Sequence, residues 1–150
     1  MTPEEHIKQL LVSNKEFKRW FDNDLPRMVG IEAVNFFTEN FEQEGFTDVN
    51  FMPWKEVKRR ENPRPNRTTD MLKILTKSGN LGRSIEYTAE PGQVIISSDL
   101  DYAAAHNEGT STAGRNRNVT IPKRQFIGKS ETFDKQVIKV MKEGADKILK

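Results

Sequence analysis

Cysteine is absent from the 150-residue chain, which excludes a disulfide framework, a thiolate metal site and a cysteine nucleophile, and suits a reducing cytosol. Histidine is nearly absent: His6 and His106 stand alone, so no histidine cluster with metal-ligand spacing exists and no metal or other cofactor is expected. No apolar run approaches the ~20 residues needed to cross a bilayer, and Met1-Thr2-Pro3-Glu4-Glu5 lacks the basic start and apolar stretch of a secretion signal. A soluble, cytosolic chain without a membrane partner is the expectation. Excess charge of one sign is missing as well. With a formal net charge of +2, attraction of the whole molecule to DNA or anionic lipid is weak, although local basic patches can still bind. The sequences G-x-G-x-x-G, G-x-x-x-x-G-K-[ST] and G-x-S-x-G do not occur, which leaves no phosphate loop and no nucleophile elbow.

What the chain does hold points to one modest core. Its length fits a single domain over residues 1–150. Only 35% of residues are hydrophobic against 31% charged, so extended loops or partner surfaces take up much of it. The Phe residues concentrate between Phe17 and Phe51, where few positions bury much apolar area. Thr2-Pro3-Glu4-Glu5 predicts a helix start, with Thr2 as cap, Pro3 in the first position and Glu5 completing a capping box. Ile7, Leu10, Leu11, Phe17 and Phe21 follow at helical spacing until Asp22-Asn23-Asp24 breaks the element. A second, central helix begins near Pro26 and carries Met28, Val29, Ala33, Phe36, Phe37 and Phe41 on one face, widened by Ile31 and Val34. Gly45 to Asp70, interrupted by Pro53, Pro63 and Pro65, reads as a long loop. Met71, Leu72, Ile74 and Leu75 predict a short helix closed by Gly79 as C-cap. Arg83–Thr88 and Gln93–Ser98 predict a hairpin around Pro91-Gly92, with Val94-Ile95-Ile96 as a buried strand. A helical turn over 101–107, a second loop over 109–118 and a strand at Val119-Thr120-Ile121 follow. Ser130 caps a last helix whose buried stripe is Phe133, Val137, Met141, Ala145 and Ile148. The predicted class is α+β: a small antiparallel sheet packed by N- and C-terminal helices, with two long loops.

Chemistry is hard to find in this pattern. His106 beside Asn107 would serve a nuclease or a general base only with a second histidine or carboxylate at a recognisable spacing, and none is present. A structural histidine whose ring bonds to backbone is the plainer reading. Asp99 and Asp101 suit a turn or cap better than a catalytic pair. Ser84 and Ser97 fall on predicted strands, and no catalytic residue is assigned. The basic residues Lys58, Arg59, Arg60, Arg64 and Arg67 in the first loop, and Arg115 and Arg117 in the second, with Lys123 and Arg124, are candidate contact residues. They would neutralise phosphates, with Trp54 stacking on a base, or keep loops solvated and pair with acidic faces of neighbouring subunits. The second use is preferred, because no recognition-helix motif accompanies them.

Four features occur in a diagnostic order: Phe51-Met52-Pro53-Trp54 after a Phe-rich helix; Leu75 to Ile85, which includes Leu81-Gly82-Arg83-Ser84-Ile85; Val94 to Ser98 followed by Tyr102-Ala103-Ala104-Ala105-His106-Asn107-Glu108-Gly109; and Ile121-Pro122-Lys123-Arg124-Gln125-Phe126-Ile127-Gly128. This set resembles the phage virion morphogenesis, or tail completion, family of Mu-like tailed phages and prophages, departing from it where Lys77-Ser78-Gly79 replaces a plain Thr-Gly pair. The resemblance makes Trp54, Leu81, Ser84, Ile85, Tyr102, Ala103, His106, Gly109, Pro122, Arg124 and Phe126 scaffold positions. Leu81 and Ile85 would face the core, Tyr102 and Ala103 would pack a close turn on the sheet, and Arg124 would pair with an acidic group. It implies a non-enzymatic protein of the virion, at the tail or neck, held in the host cytoplasm before assembly. Its partners would be tail tube or head-tail connector proteins and further copies in a ring, through loops ordered by neighbours. A small nucleic-acid-binding module using the basic loops is the rival, with a weak DNA contact; a nuclease ranks third.

Overall fold

A computed structural model describes residues 2–150. Helix α1 (Pro3–Arg19) opens with the expected capping box: Glu5 N donates to Thr2 Oγ1 at 3.2 Å, and Thr2 N donates to Glu5 Oε2 at 2.7 Å. Ile7 and Phe21 are exposed rather than buried, and the expectation for the Leu10 and Leu11 side chains lies outside the described residues. Asp22-Asn23-Asp24 does not end the helix. The chain widens into a π-turn over Trp20–Asp24, in which Leu25 N–H reaches back to Trp20 O, and continues into α2 (Leu25–Gln43). Pro26 has no N–H to lose and fits this first turn, so the break predicted from polarity becomes a bulge in a continuous helical run.

Helix α2 buries Val29, Ala33, Phe37 and Phe41, while Met28 and Ile31 face solvent and Val34 and Phe36 are half-buried. Its apolar face is therefore narrower than the sequence predicted. Glu44, at φ +56°, turns the chain into a hairpin of β1 (Gly45–Thr47) and β2 (Phe51–Pro53). The predicted loop over 45–70 is thus structured: this hairpin is followed by α3 (Lys58–Glu61) and a 3-10 turn at Thr68–Met71. The α-helix predicted over Met71–Leu75 does not form: Met71 ends the 3-10 turn and Leu75 takes φ +61°. Gly79, at φ +71°, precedes α4 (Asn80–Arg83) as its N-cap instead of closing a helix before it.

Strands β3 (Ile85–Glu90) and β4 (Gln93–Ser98) pair around Pro91-Gly92, with Gly92 at φ +66°. β4 is not fully buried; it alternates, with Ile95 outward and Val94 and Ile96 inward. After α5 (Ala103–Glu108), the predicted second loop is a hairpin of β5 (Thr110–Ala113) and β6 (Val119–Ile121). The chain ends in α6 (Glu131–Leu149). The α+β class holds, but the strands form three separate two-stranded antiparallel ladders rather than one sheet.

Two apolar clusters hold these elements. The larger joins Phe37, Phe41, Phe46, Trp54, Leu81 and Phe126, among others, between α2 and the strap that follows β6. The smaller sets Trp20, Leu25 and Val29 against Val94, Val137 and Ile148. In α6, Phe133, Val137, Ala145 and Ile148 are half-buried, and Val140 takes the inward place predicted for Met141, which is exposed. Its N-terminus is fixed by Ser130, whose Oγ accepts from Phe133 N at 3.1 Å and donates to Thr47 O at 2.7 Å, and by Asp48 Oδ1, which accepts from Glu131 N at 2.8 Å.

Candidate functional site

The strap Pro122–Gly128 is where the residues of the ordered motif converge. Phe126 is buried against Phe41, with ring centroids 5.2 Å apart, and Trp54 meets the same ring edge-on at 5.5 Å. Trp54 Nε1 donates to Gln125 O at 2.8 Å, so this indole is a buried pin and not a free stacking platform. Arg124 is also buried. Its Nε donates to Lys55 O at 2.9 Å and its Nη2 to Glu56 O at 3.2 Å, so it binds backbone carbonyls where a carboxylate was expected. Burial lowers the Arg124 pKa from its ordinary value, with the nearby Arg59 charge adding to the effect.

Helices α2 and α5 hold the strap from two sides. Asn40, buried on α2, donates from Nδ2 to Phe126 O at 2.9 Å. Asn107 Oδ1 accepts from Phe126 N at 2.9 Å and Ile127 N at 3.0 Å, and Arg124 N donates to His106 O at 2.8 Å. Ser84 Oγ lies 2.6 Å from Ser98 Oγ and donates to Leu81 O at 2.7 Å, closing α4 onto the β3–β4 hairpin. Leu81, Ile85 and Ala103 are buried as expected, whereas Tyr102 is exposed, its ring meeting that of His106 edge-on. Gly109, at φ +76°, stands where a Cβ would lie 2.8 Å from Lys123 N, so only glycine lets the chain cross there. Pro122 is half-buried beside it.

His106 does not make the backbone hydrogen bond expected of its ring at Nδ1, which is buried without a partner. Burial, then the Arg124 charge, lowers its pKa from 6.5, which favours a neutral imidazole at neutral pH. Among the described residues no group of three potential metal ligands occurs.

The first basic segment is bound internally. Arg60 Nη1 meets Glu44 Oε1 at 2.6 Å, and the same oxygen accepts from Ile74 N at 2.9 Å; the Arg60 ion pair holds Glu44 below its usual carboxylate range. Arg64 grips Asp70 with two bonds of 2.9 and 2.8 Å, and its backbone N adds a third at 3.0 Å. These bonds depress the Asp70 pKa strongly. Arg59 Nη2 donates to Leu72 O at 2.6 Å and Lys73 O at 2.9 Å. Of the five candidate contact residues in this segment, only Lys58 and Arg67 are exposed without an ion pair in the structure. Arg115 and Arg117, by contrast, sit exposed at the tip of the β5–β6 hairpin.

Sequence reasoning missed Asn40, Glu44, Asp48 and Asp70, and named Asn107 without its part in holding the strap. Each is an ordinary polar residue locally, and its partner lies in another element. The capping signal at Ser130 was visible, yet the second cap of the same helix end, Asp48 Oδ1 on Glu131 N, was not.

The polar side chains that hold the strap, Asn40, Trp54, Asn107 and Arg124, spend their hydrogen bonds on backbone groups, which is the work of a structural scaffold. Residues 23–144 match the model of the phage virion morphogenesis family, and the chain belongs to that family. Membership gives it a structural role in virion assembly. No curated protein and no solved structure matches the chain.

Proposed function

We propose that this protein completes the tail, or joins it to the filled head, through interfaces between its own copies and with tail tube or connector proteins, in the manner of Mu-like tailed phages. The observation that carries this reading is an apolar groove of about 190 Å³ lined by Phe21, Leu25, Val29, Val94, Val137 and Met141. The helices also expose other large apolar side chains: Ile7 and Val12 on α1, Met28 and Ile31 on α2, Ile138 and Leu149 on α6. An open apolar groove of this kind fits a protein-binding face, and a head-to-tail contact between copies closes into a ring when its rotation permits. A stand-alone nucleic-acid-binding module is the weaker reading, because most of the first basic segment is consumed by internal bonds.

Sedimentation of the purified protein, alone and with tail tube protein, tests the proposal. Concentration-dependent association that Met141→Asp abolishes is expected. A monomer at high concentration under both conditions overturns it.

A further inference from the structure

We propose that the β5–β6 hairpin is a nucleic-acid contact whose basic tip, Arg115 to Arg117, binds the phosphate backbone of double-stranded DNA without reading its sequence. From Gly109 to Ser130 the chain contains no acidic residue and five basic ones: Arg115, Arg117, Lys123, Arg124 and Lys129. Arg124 is committed to the carbonyls of Lys55 and Glu56. The other four are exposed, and none forms an ion pair among the described residues. The small net charge of the molecule thus hides a local concentration of unneutralised cations, and such a patch is what attracts a polyanion.

The rest of the hairpin fits the same ligand. Gly114 to Thr120 is exposed throughout, and the ribbon offers Ser111, Thr112, Asn116, Asn118 and Thr120 beside its two arginines. Hydroxyl, amide and guanidinium donors are the groups that contact phosphate oxygens. A protein partner would require an aromatic or large aliphatic anchor at the centre of the contact. The tip has only Val119. A two-stranded antiparallel ribbon also has the width of the DNA major groove.

The mount is firm. Arg117 N donates to Gly114 O at 3.1 Å to close the turn, Gly114 takes φ +81° and Arg117 φ +51°. At the other end the hairpin runs through the Gly109 crossing into the strap held by Arg124 and Asn107. The backbone that presents the two arginines is therefore left with little ordering to do on binding.

Anisotropy titration of fluorescein-labelled duplexes of two unrelated sequences, across a salt series, tests the proposal. The parent protein should bind both equally, with affinity falling steeply as salt rises. The pair Arg115→Ala with Arg117→Ala should weaken binding about tenfold or more at low salt and reduce the logarithmic salt slope by about 2. Lys58→Ala with Arg67→Ala should leave both unchanged, and an unaltered circular dichroism spectrum confirms that each variant is folded. Undiminished binding in the tip variant, no binding at low salt, or tip-dependent binding to an acidic polypeptide but not to DNA overturns the proposal. Met141→Asp should retain tip-dependent DNA binding, so failure of the assembly reading and failure of this one are separately visible.

Discussion

At the scale of single residues, the strap Pro122–Gly128 shows why aromatic anchors were legible and polar ones were not. Trp54 and Phe126 stand out in any reading because large aromatic side chains are costly to expose and fall in recognisable sequence. Asn40 and Asn107 carry no such mark, since their value lies in satisfying backbone groups many residues away. Removing the Asn107 acceptor leaves the amides of Phe126 and Ile127 unpaired, so Asn107→Ala should cost about 1–3 kcal/mol in urea unfolding. Asn107→Asp keeps an oxygen in place and should lose less. Equal losses would show that the two bonds contribute little. His106 gives a pH signature. Its folded-state pKa is depressed from 6.5, so the unfolded chain takes up the proton first as pH falls. Stability from this group is intact above about pH 6.5 and is lost as pH drops below that value. The melting temperature should fall between pH 7 and pH 5, and His106→Leu should flatten that fall; an unchanged slope contradicts the assignment.

At the scale of elements, patterns of sufficient length were readable and short ones were not. Helices α1 and α6 announced themselves by caps and periodicity, and the β3–β4 hairpin by Pro91-Gly92. The three-residue strands β1, β2 and β6 and the four-residue β5 are too short for alternation to rise above loop composition, so only β6 was anticipated. The π-turn escaped because the Asp22-Asn23-Asp24 run reads as a breaker, while its widened ladder absorbs Pro26 without loss. Two helix glycines likewise gave no signal: a Cβ on Gly30 would lie 2.3 Å from the Tyr87 ring, and one on Gly144 would lie 2.3 Å from the Trp20 ring. Propensity alone favours alanine at both by about 1 kcal/mol. Overpacking against rings held by α2 and α6 costs about 1–3 kcal/mol, so Gly30→Ala and Gly144→Ala should each be net destabilising. A raised melting temperature in either would mean that the rings yield freely.

At the scale of the whole molecule, the order of motifs was more informative than any composition figure, because it reflects a strap-and-pin scaffold and not a reactive group. The basic loops illustrate the limit. Sequence placed Lys58–Arg67 and Arg115–Arg117 on equal terms; the fold spends Arg59, Arg60 and Arg64 on its own carbonyls and carboxylates and leaves the hairpin tip free. The separation depends on Glu44 and Asp70, whose partners no local pattern reveals. The groove beside Phe21 and Met141 was equally hidden, since it forms where three distant elements meet.

The protein has a structural role in virion assembly, and the role proposed for it is to complete the tail or join it to the filled head. The most direct measurement is complementation in vitro: a lysate from a phage lacking only this gene receives the purified protein, and infectious particles are counted while heads and tails are viewed by electron microscopy. The account predicts filled heads and unattached or unfinished tails before addition, and joined, infectious particles after it, with Met141→Asp ineffective. Complete, infectious particles in the untreated lysate would contradict it.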